Sequence, residues 1–343
     1  MNYQSPLTSP GTFVADDHDL GFAARHEALE RYGGFALAYS VAHQPGLKRF
    51  GDERGFLAYK MVGRTAFVLA DPLAPQDMWG TLIDALVAEK GDVTFWQVSH
   101  GMAELLSARG FSVNELGLER WIDLEGYDFA GPGRRSFRTA RNRFSRAGCR
   151  ALEMSPEAFD PVQVEAISNG WRGTRTTKRR ELSFLVRPVV LGDEVGVRKF
   201  FVLDREGKPS AFASFDPLYS GGRIVGYLSA TRRWLPTADP LSAYFLVRHA
   251  IETFQGEGVP RLYLGLEPFQ EIEDKEFEKD WLTRRAFRFI HTNALAQRFI
   301  YPSQSLARHK DSYGGDSRQT YCAMNTPPAL PRLLKLLRAC GIV

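Results

Sequence analysis

An order of elements that occurs twice, on either side of a break at Gly131-Pro132-Gly133, constrains this chain more than any single motif. In the first half, the apolar runs Phe35–Tyr39, Gly55–Lys60 and Thr65–Ala70 are separated by turn residues and read as an antiparallel strand series. A helix then fits residues 75–90, where Trp79, Leu82, Ile83, Leu86 and Val87 recur at helical spacing. A strand over 93–98, a helix over 102–109 and a strand over 111–118 follow. The second half opens with a helix over 160–171. Strands near 199–204, 210–216 and 223–229, a helix over 241–255 and a strand over 261–266 come after it.

At 343 residues the chain has room for two ordinary domains, or for one catalytic unit of two similar lobes sharing a cleft. The repeated order predicts an α/β (α+β) fold: two tandem N-acetyltransferase-like lobes with mixed, largely antiparallel sheets, joined by a basic connector helix. The expected boundaries are 1–130 for the first lobe, 131–155 for the connector and 156–327 for a catalytic second lobe. Residues 328–343 form a basic amphipathic helix, with Leu330, Leu333, Leu334, Leu336 and Leu337 beside Arg332, Lys335 and Arg338. Such a helix either docks on the core or makes a peripheral membrane contact.

Three scattered cysteines, Cys149, Cys322 and Cys340, suit neither a disulfide framework nor a zinc site with paired ligands. Residues 1–20 lack a basic segment followed by an apolar run, and no stretch approaches the length of a membrane span. The expectation is a cytoplasmic protein, able to lie against the inner face of the membrane. A phosphate-binding loop, a G-x-S-x-G elbow, an H-E-x-x-H helix and the glycine-rich turn of ordinary coenzyme A acetyltransferases are all missing from the sequence.

Positive charge is clustered although the formal net charge is only +4. Arg134, Arg135, Arg138, Arg141, Arg143, Arg146 and Arg150 occupy one run without an acid, and Arg172, Arg175, Lys178, Arg179 and Arg180 form a second cluster. Phe137 and Phe144 are interleaved at helical spacing, so one face of the first cluster can pack while the other meets a polyanion such as an RNA backbone, or remains a solvated face.

Several short segments carry a family resemblance: Gly33–Pro72, Phe95–Val98, Arg138–Gly148, Phe212–Ser214, Tyr263–Pro268 and His309–Tyr313. Together they resemble the soluble catalytic domain of bacterial lysyl-phosphatidylglycerol synthases over most of residues 30–325. The resemblance implies an aminoacyl-tRNA donor, whose ester is already activated so that no metal or redox cofactor is required, and a lipid or small-molecule acceptor. It places Lys310 on the family's late lysine motif, where a cation can hold a donor phosphate or offset charge on a tetrahedral intermediate. Arg233 falls close to the arginine of the D-x-x-R motif, whose aspartate is replaced within Ser229–Arg233; a lysyl or other cationic donor loses support with it.

Asp216 and Glu267, at the ends of expected strands, are candidate general bases or turn and capping carboxylates. His249 and His309 lack further metal ligands at suitable spacing, and Cys149 lacks a partner for nucleophilic catalysis. The leading expectation is an aminoacyl-tRNA-dependent transferase. An acyltransferase using acyl-CoA or an acyl carrier protein, and a non-catalytic anion- or membrane-binding protein, are the alternatives.

Overall fold

The computed structural model describes residues 20–175, 180–299, 302–326 and 329–342, so Lys178, Arg179 and Pro328 lie outside the described residues. The first half supplies α1 (Phe22–Tyr32), α2 (Ala38–His43), β1 (Lys48–Asp52), β2 (Gly55–Val62), β3 (Thr65–Leu73), α3 (Gln76–Lys90), β4 (Asp92–Val98), α4 (His100–Ser107) and β5 (Ser112–Asp123). The second begins with α5 (Arg135–Arg146), β6 (Arg150–Glu153), α6 (Pro161–Gly173), β7 (Arg198–Leu203), β8 (Pro209–Ser220), β9 (Arg223–Trp234), α7 (Ser242–Gly256) and β10 (Arg261–Pro268). It continues through α8 (Trp281–Thr292), α9 (Ala294–Phe299), α10 (Ser303–Asp311), β11 (Asp316–Met324) and α11 (Ala329–Ala339).

Within each half an antiparallel series leads through one helix to a parallel neighbour. β1, β2 and β3 are antiparallel and α3 carries the chain to β4, parallel to β3. β6 to β9 are antiparallel and α7 carries it to β10, parallel to β9. The described strands join into one eleven-stranded sheet, in the order β1-β2-β3-β4-β11-β5-β10-β9-β8-β7-β6. Three pairings fuse the halves among the described strands: β5 with β10, β11 with β4, and β11 with β5. A strand from the end of the chain therefore completes the sheet of the first half.

Helices cover both faces, as a sheet with two apolar faces requires. α3 buries Leu82, Ile83 and Leu86 in a cluster with Phe95 and Val68. α5 buries Phe137 and Phe144 against the α7 cluster that includes Leu246, Val247 and Phe254. At roughly 1.5–3 kcal/mol for each fully buried large apolar side chain, these contacts outweigh the few tenths of a kcal/mol by which like-charged arginines three and four residues apart repel one another on α5. α11 docks on the core: Arg332 Nε is 2.8 Å from Asp92, Lys335 donates to Thr65 Oγ1 at 2.8 Å, and Lys60 donates to the Ala339 carbonyl at 2.9 Å.

The segment expected as a strand over Phe35–Tyr39 is instead a turn running into α2. Ala38 to Ala42 are all buried, so neither face needed a polar residue and the apolar run had no readable period. α1, β1, β6, α8, α9, α10 and β11 were not anticipated from the sequence.

Candidate active site

β9 and β10 pair at only two positions, Leu262 with Tyr227 and Tyr263 with Leu228. A bulge on β10 then sets Leu264 out of register with β5, and Gly265 takes φ +75°, a conformation that strains any residue with a Cβ. The strands part there, and a cavity of about 290 Å3 opens between them, closed over by residues of α8, α10 and α11. The corresponding place in the first half behaves differently. β3 and β4 part after Leu69 and Trp96, with Ala70 and Gln97 both at positive φ, but the space beyond is only about 20 Å3. Asp71, Glu119 and Arg318 line it; Glu119 is ion-paired with Arg318, and Asp71 accepts the Ser99 N–H at 2.9 Å. Burial pushes the Asp71 carboxyl up to about 6.

Lys310, in the last turn of α10, reaches the open cavity. It is buried, and its Nζ donates to the Leu266 carbonyl at 2.7 Å. Burial foremost, and then the Arg232 guanidinium, bring its pKa down to about 7, against the opposing carboxylates of Glu267 and Glu119. Arg232 lies on the cavity wall of β9. Its Nη1 is 2.7 Å from His309 Nε2 and 2.9 Å from the Tyr313 hydroxyl, both neutral groups. Burial, Arg232 and Lys310 together lower His309 to about 3, so its ring is uncharged at neutral pH. A ring that accepts from Arg232 at Nε2 carries its proton on Nδ1, which then donates to the Tyr244 hydroxyl 2.9 Å away.

The sequence candidates separate on this geometry. Arg233, expected beside the acyl centre, is absent from the cavity wall, where Arg232 stands. It is buried and bonded to Ser168 and Glu181. Neighbouring residues of a strand point to opposite faces, which places the two arginines on opposite sides of the sheet. Asp216 lines the cavity but is held bidentately by Arg187, at 2.9 and 2.5 Å, and Arg187 also binds Glu194. Glu267 is buried behind the wall; Arg120 Nε lies 2.6 Å from it and Arg120 Nη2 2.7 Å from Asp311. It joins β5, β10 and α10 rather than facing the space. His249 packs edge-on against Phe200, and Cys149 is half-buried. Arg232, Ser229, His309, Tyr244 and Tyr313 were not singled out for catalysis. Counted strictly, a D-x-x-R spacing ending at Arg232 begins at Ser229, which was the available signal.

The arginines of the connector are only partly compensated. Arg134 pairs with Asp128 at 3.3 Å, Arg143 with Asp239 at 2.5 Å, and Arg138 donates to the Phe129 and Gly131 carbonyls. Arg135, Arg141 and Arg146 are exposed without a carboxylate partner among the described residues. Arg141 shares a shallow hollow with Arg138, Asn142 and Arg248. Arg175 stacks over Trp171, its guanidinium carbon 4.1 Å from the ring centre.

A doubled antiparallel series, each ending in a parallel pair that splays at its carboxyl end, defines a mixed α/β protein of tandem N-acetyltransferase-like architecture. The chain belongs to the family described as phosphatidylglycerol lysyltransferase, C-terminal, whose model matches residues 27–324. It is 25% identical over 303 residues to the phosphatidylglycerol lysyltransferase of Staphylococcus aureus (strain MRSA252), covering 84% of this chain and 34% of that protein. The Bacillus subtilis (strain 168) phosphatidylglycerol lysyltransferase is 25% identical over 304 residues, covering 86% and 34%. The chain thus spans about a third of the length of the curated relatives it matches. Among solved structures, L-PGS from Bacillus licheniformis aligns with TM-score 0.76 at 20% identity, over 95% of this chain and 97% of that one. The C-terminal domain of a putative lysylphosphatidylglycerol synthetase from Agrobacterium fabrum aligns with TM-score 0.72 at 17% identity, over 93% and 95%.

Proposed function

We propose that the chain is an aminoacyltransferase that moves an aminoacyl group from an aminoacyl-tRNA onto a hydroxyl or amine of a lipid or small-molecule acceptor. The observation that carries this reading is the placement of Lys310 and Arg232 on one cavity wall where β9 and β10 part, neither of them ion-paired to a carboxylate among the described residues. An aminoacyl ester is already activated, so the site has to orient the acceptor, move one proton and stabilise one oxyanion. Lys310, with a pKa of about 7, takes the proton of the acceptor hydroxyl as its oxygen attacks the ester carbonyl. Arg232 donates to the oxyanion of the tetrahedral intermediate. Collapse expels the ribose oxygen, which recovers the proton from the Lys310 ammonium.

Support for a polyanionic donor comes from the free arginines of α5 and the hollow around Arg141 and Arg248. Support for peripheral contact with a membrane comes from α8. Its exposed stripe carries Trp281, Arg285, Arg288 and Phe289, and Leu295 follows on α9; no acid occurs between Trp281 and Lys310. Trp281 is 62%, Phe289 55% and Leu295 66% exposed, apolar area that water does not favour and that a lipid headgroup layer accepts beside cations. Ile290 of the same helix lines the cavity, so the stripe lies next to the site. No helix among the described residues is long and apolar enough to cross a membrane.

The test is transfer of radiolabel from charged tRNAs, one amino acid at a time, into lipid and water-soluble fractions, with and without ribonuclease. A ribonuclease-sensitive product is the expected result. Label that never leaves any charged tRNA overturns the reading.

A further inference from the structure

Among the described residues, five ionisable side chains line the cavity: Arg187, Asp216, Arg232, Lys310 and Cys340, whose thiol burial pushes up to about 11 so that it is uncharged. Asp216, the carboxylate among them, is closed by its bidentate bond to Arg187, and Arg187 is further engaged by Glu194. The partners of Arg232 are an imidazole and a phenol, and that of Lys310 is a backbone carbonyl. The Oγ of Ser229, on the same wall, is buried without a hydrogen-bond partner. Most of the remaining wall is apolar, with Leu228, Leu264, Leu266, Phe287, Ile290 and Leu336 contributing to it.

A side-chain ammonium or guanidinium brought into this space, in addition to the α-amine that every aminoacyl group shares, would be desolvated beside Arg232 with no free carboxylate to meet it among the described residues, an arrangement that burial makes unfavourable. A neutral apolar group meets no such penalty and gains from leaving water. Resting on the transferase reading above, we propose that the group transferred here has a neutral, apolar side chain, and that Ser229 is the residue at which cationic groups are refused. The apolar group can come from an amino acid or from an alkyl acid; both offer the same surface to the walls.

Calorimetric titration of the full chain with unreactive amides tests this without requiring turnover. Leucinamide is expected to bind at least about tenfold more tightly than lysinamide, and hexanamide reports the alkyl source. Hexanamide equal to leucinamide supports the inference with an alkyl group, and leucinamide alone supports it with an amino acid. Ser229→Asp, which supplies a carboxylate at the unpartnered oxygen, should reverse the order of leucinamide and lysinamide. Arg232→Gln, which removes the facing charge, should narrow the difference. Lysinamide binding as tightly as leucinamide overturns the inference, as does failure of every amide to bind. Leucinamide binding without transfer from leucyl-tRNA would leave the inference standing and sink the tRNA-dependent reading instead.

Discussion

Lys310 Nζ lies 2.7 Å from the carbonyl oxygen of Leu266, and this bond fixes the amine where β10 turns away from β9. Leu266 still pairs with Glu119 of β5, but the β9 ladder on the other side of β10 has ended at Tyr263, which leaves the carbonyl to the amine. A backbone carbonyl holds the amine without adding the charge that a carboxylate would bring, so burial and Arg232 keep its pKa at about 7.

The pH dependence of transfer follows. If neutral Lys310 is the base, the rate should rise through pH about 7 and level off above it. Lys310→Met should lower turnover by roughly 100-fold or more. The stability signature is separate: the native pKa lies below the unfolded one, so the unfolded chain holds more protons between about 7 and 10.5. Stability therefore increases with pH across that window, and Lys310→Met should raise Tm at pH 6 more than at pH 10. A melting series on both proteins checks the sign.

Arg232 and Arg233 should respond in opposite ways. Arg232→Gln removes the proposed oxyanion donor and should cost about 100-fold in turnover with little change in Tm. Arg233→Gln takes a partner from the buried Ser168 and one from the half-buried Glu181, which keeps Arg172 and the Val189 N–H, at a cost of roughly 1–2 kcal/mol of stability. Its specific activity, measured on the folded fraction, should survive. The reverse pattern would return the catalytic assignment to Arg233.

Asp71 offers a stability test in the half whose gap is nearly filled. Its carboxyl is pushed up to about 6 by burial, so the native state binds the extra proton between about 3.8 and 6, and stability falls as pH rises through that window. Asp71→Asn can keep the acceptor for the Ser99 N–H while removing the charge. It should stabilise the protein by about 1–3 kcal/mol above pH 7 and have little effect near pH 4, read as Tm at the two pH values.

Triple substitution of Arg135, Arg141 and Arg146 by Gln should weaken tRNA binding and flatten its salt dependence. Loss of three phosphate contacts lowers the slope of log K against log salt by about 2–3. Filter binding across a salt series measures it; an unchanged slope would mean that α5 presents a solvated face.

Membrane contact through α8 predicts that the protein sediments with vesicles containing anionic lipid and much less with zwitterionic ones. Phe289→Asp combined with Leu295→Asp should reduce that binding at least about tenfold. Both side chains are exposed, so Tm should hold. Transfer to a water-soluble acceptor should be unaffected.

Local pattern determined much of this molecule. Leu82, Ile83 and Leu86 marked α3 and Phe137 and Phe144 marked α5, because a periodic apolar face encodes both the helix and the side that is buried, while apolar runs bounded by turn residues marked β2, β3 and β7 to β9 without saying which face meets what. The repeated order of those elements gave the doubled α/β fold, and short motifs gave the family and Lys310. Tertiary structure decided what period could not. α2 is buried on all sides and so carries no readable alternation. β11 finds its partners about 200 residues away, at Ser112–Trp121, a pairing that nothing in its own residues specifies. Which of Arg232 and Arg233 meets the cavity depends on the register of β9 beside β8, where Ala230 is set out of register, and a shift of one residue exchanges the two faces. The sequence by itself therefore determined the elements, their order and the kinds of charge available. Only the packed sheet decided which of those charges share a cavity, because facing and burial are properties of strands already paired.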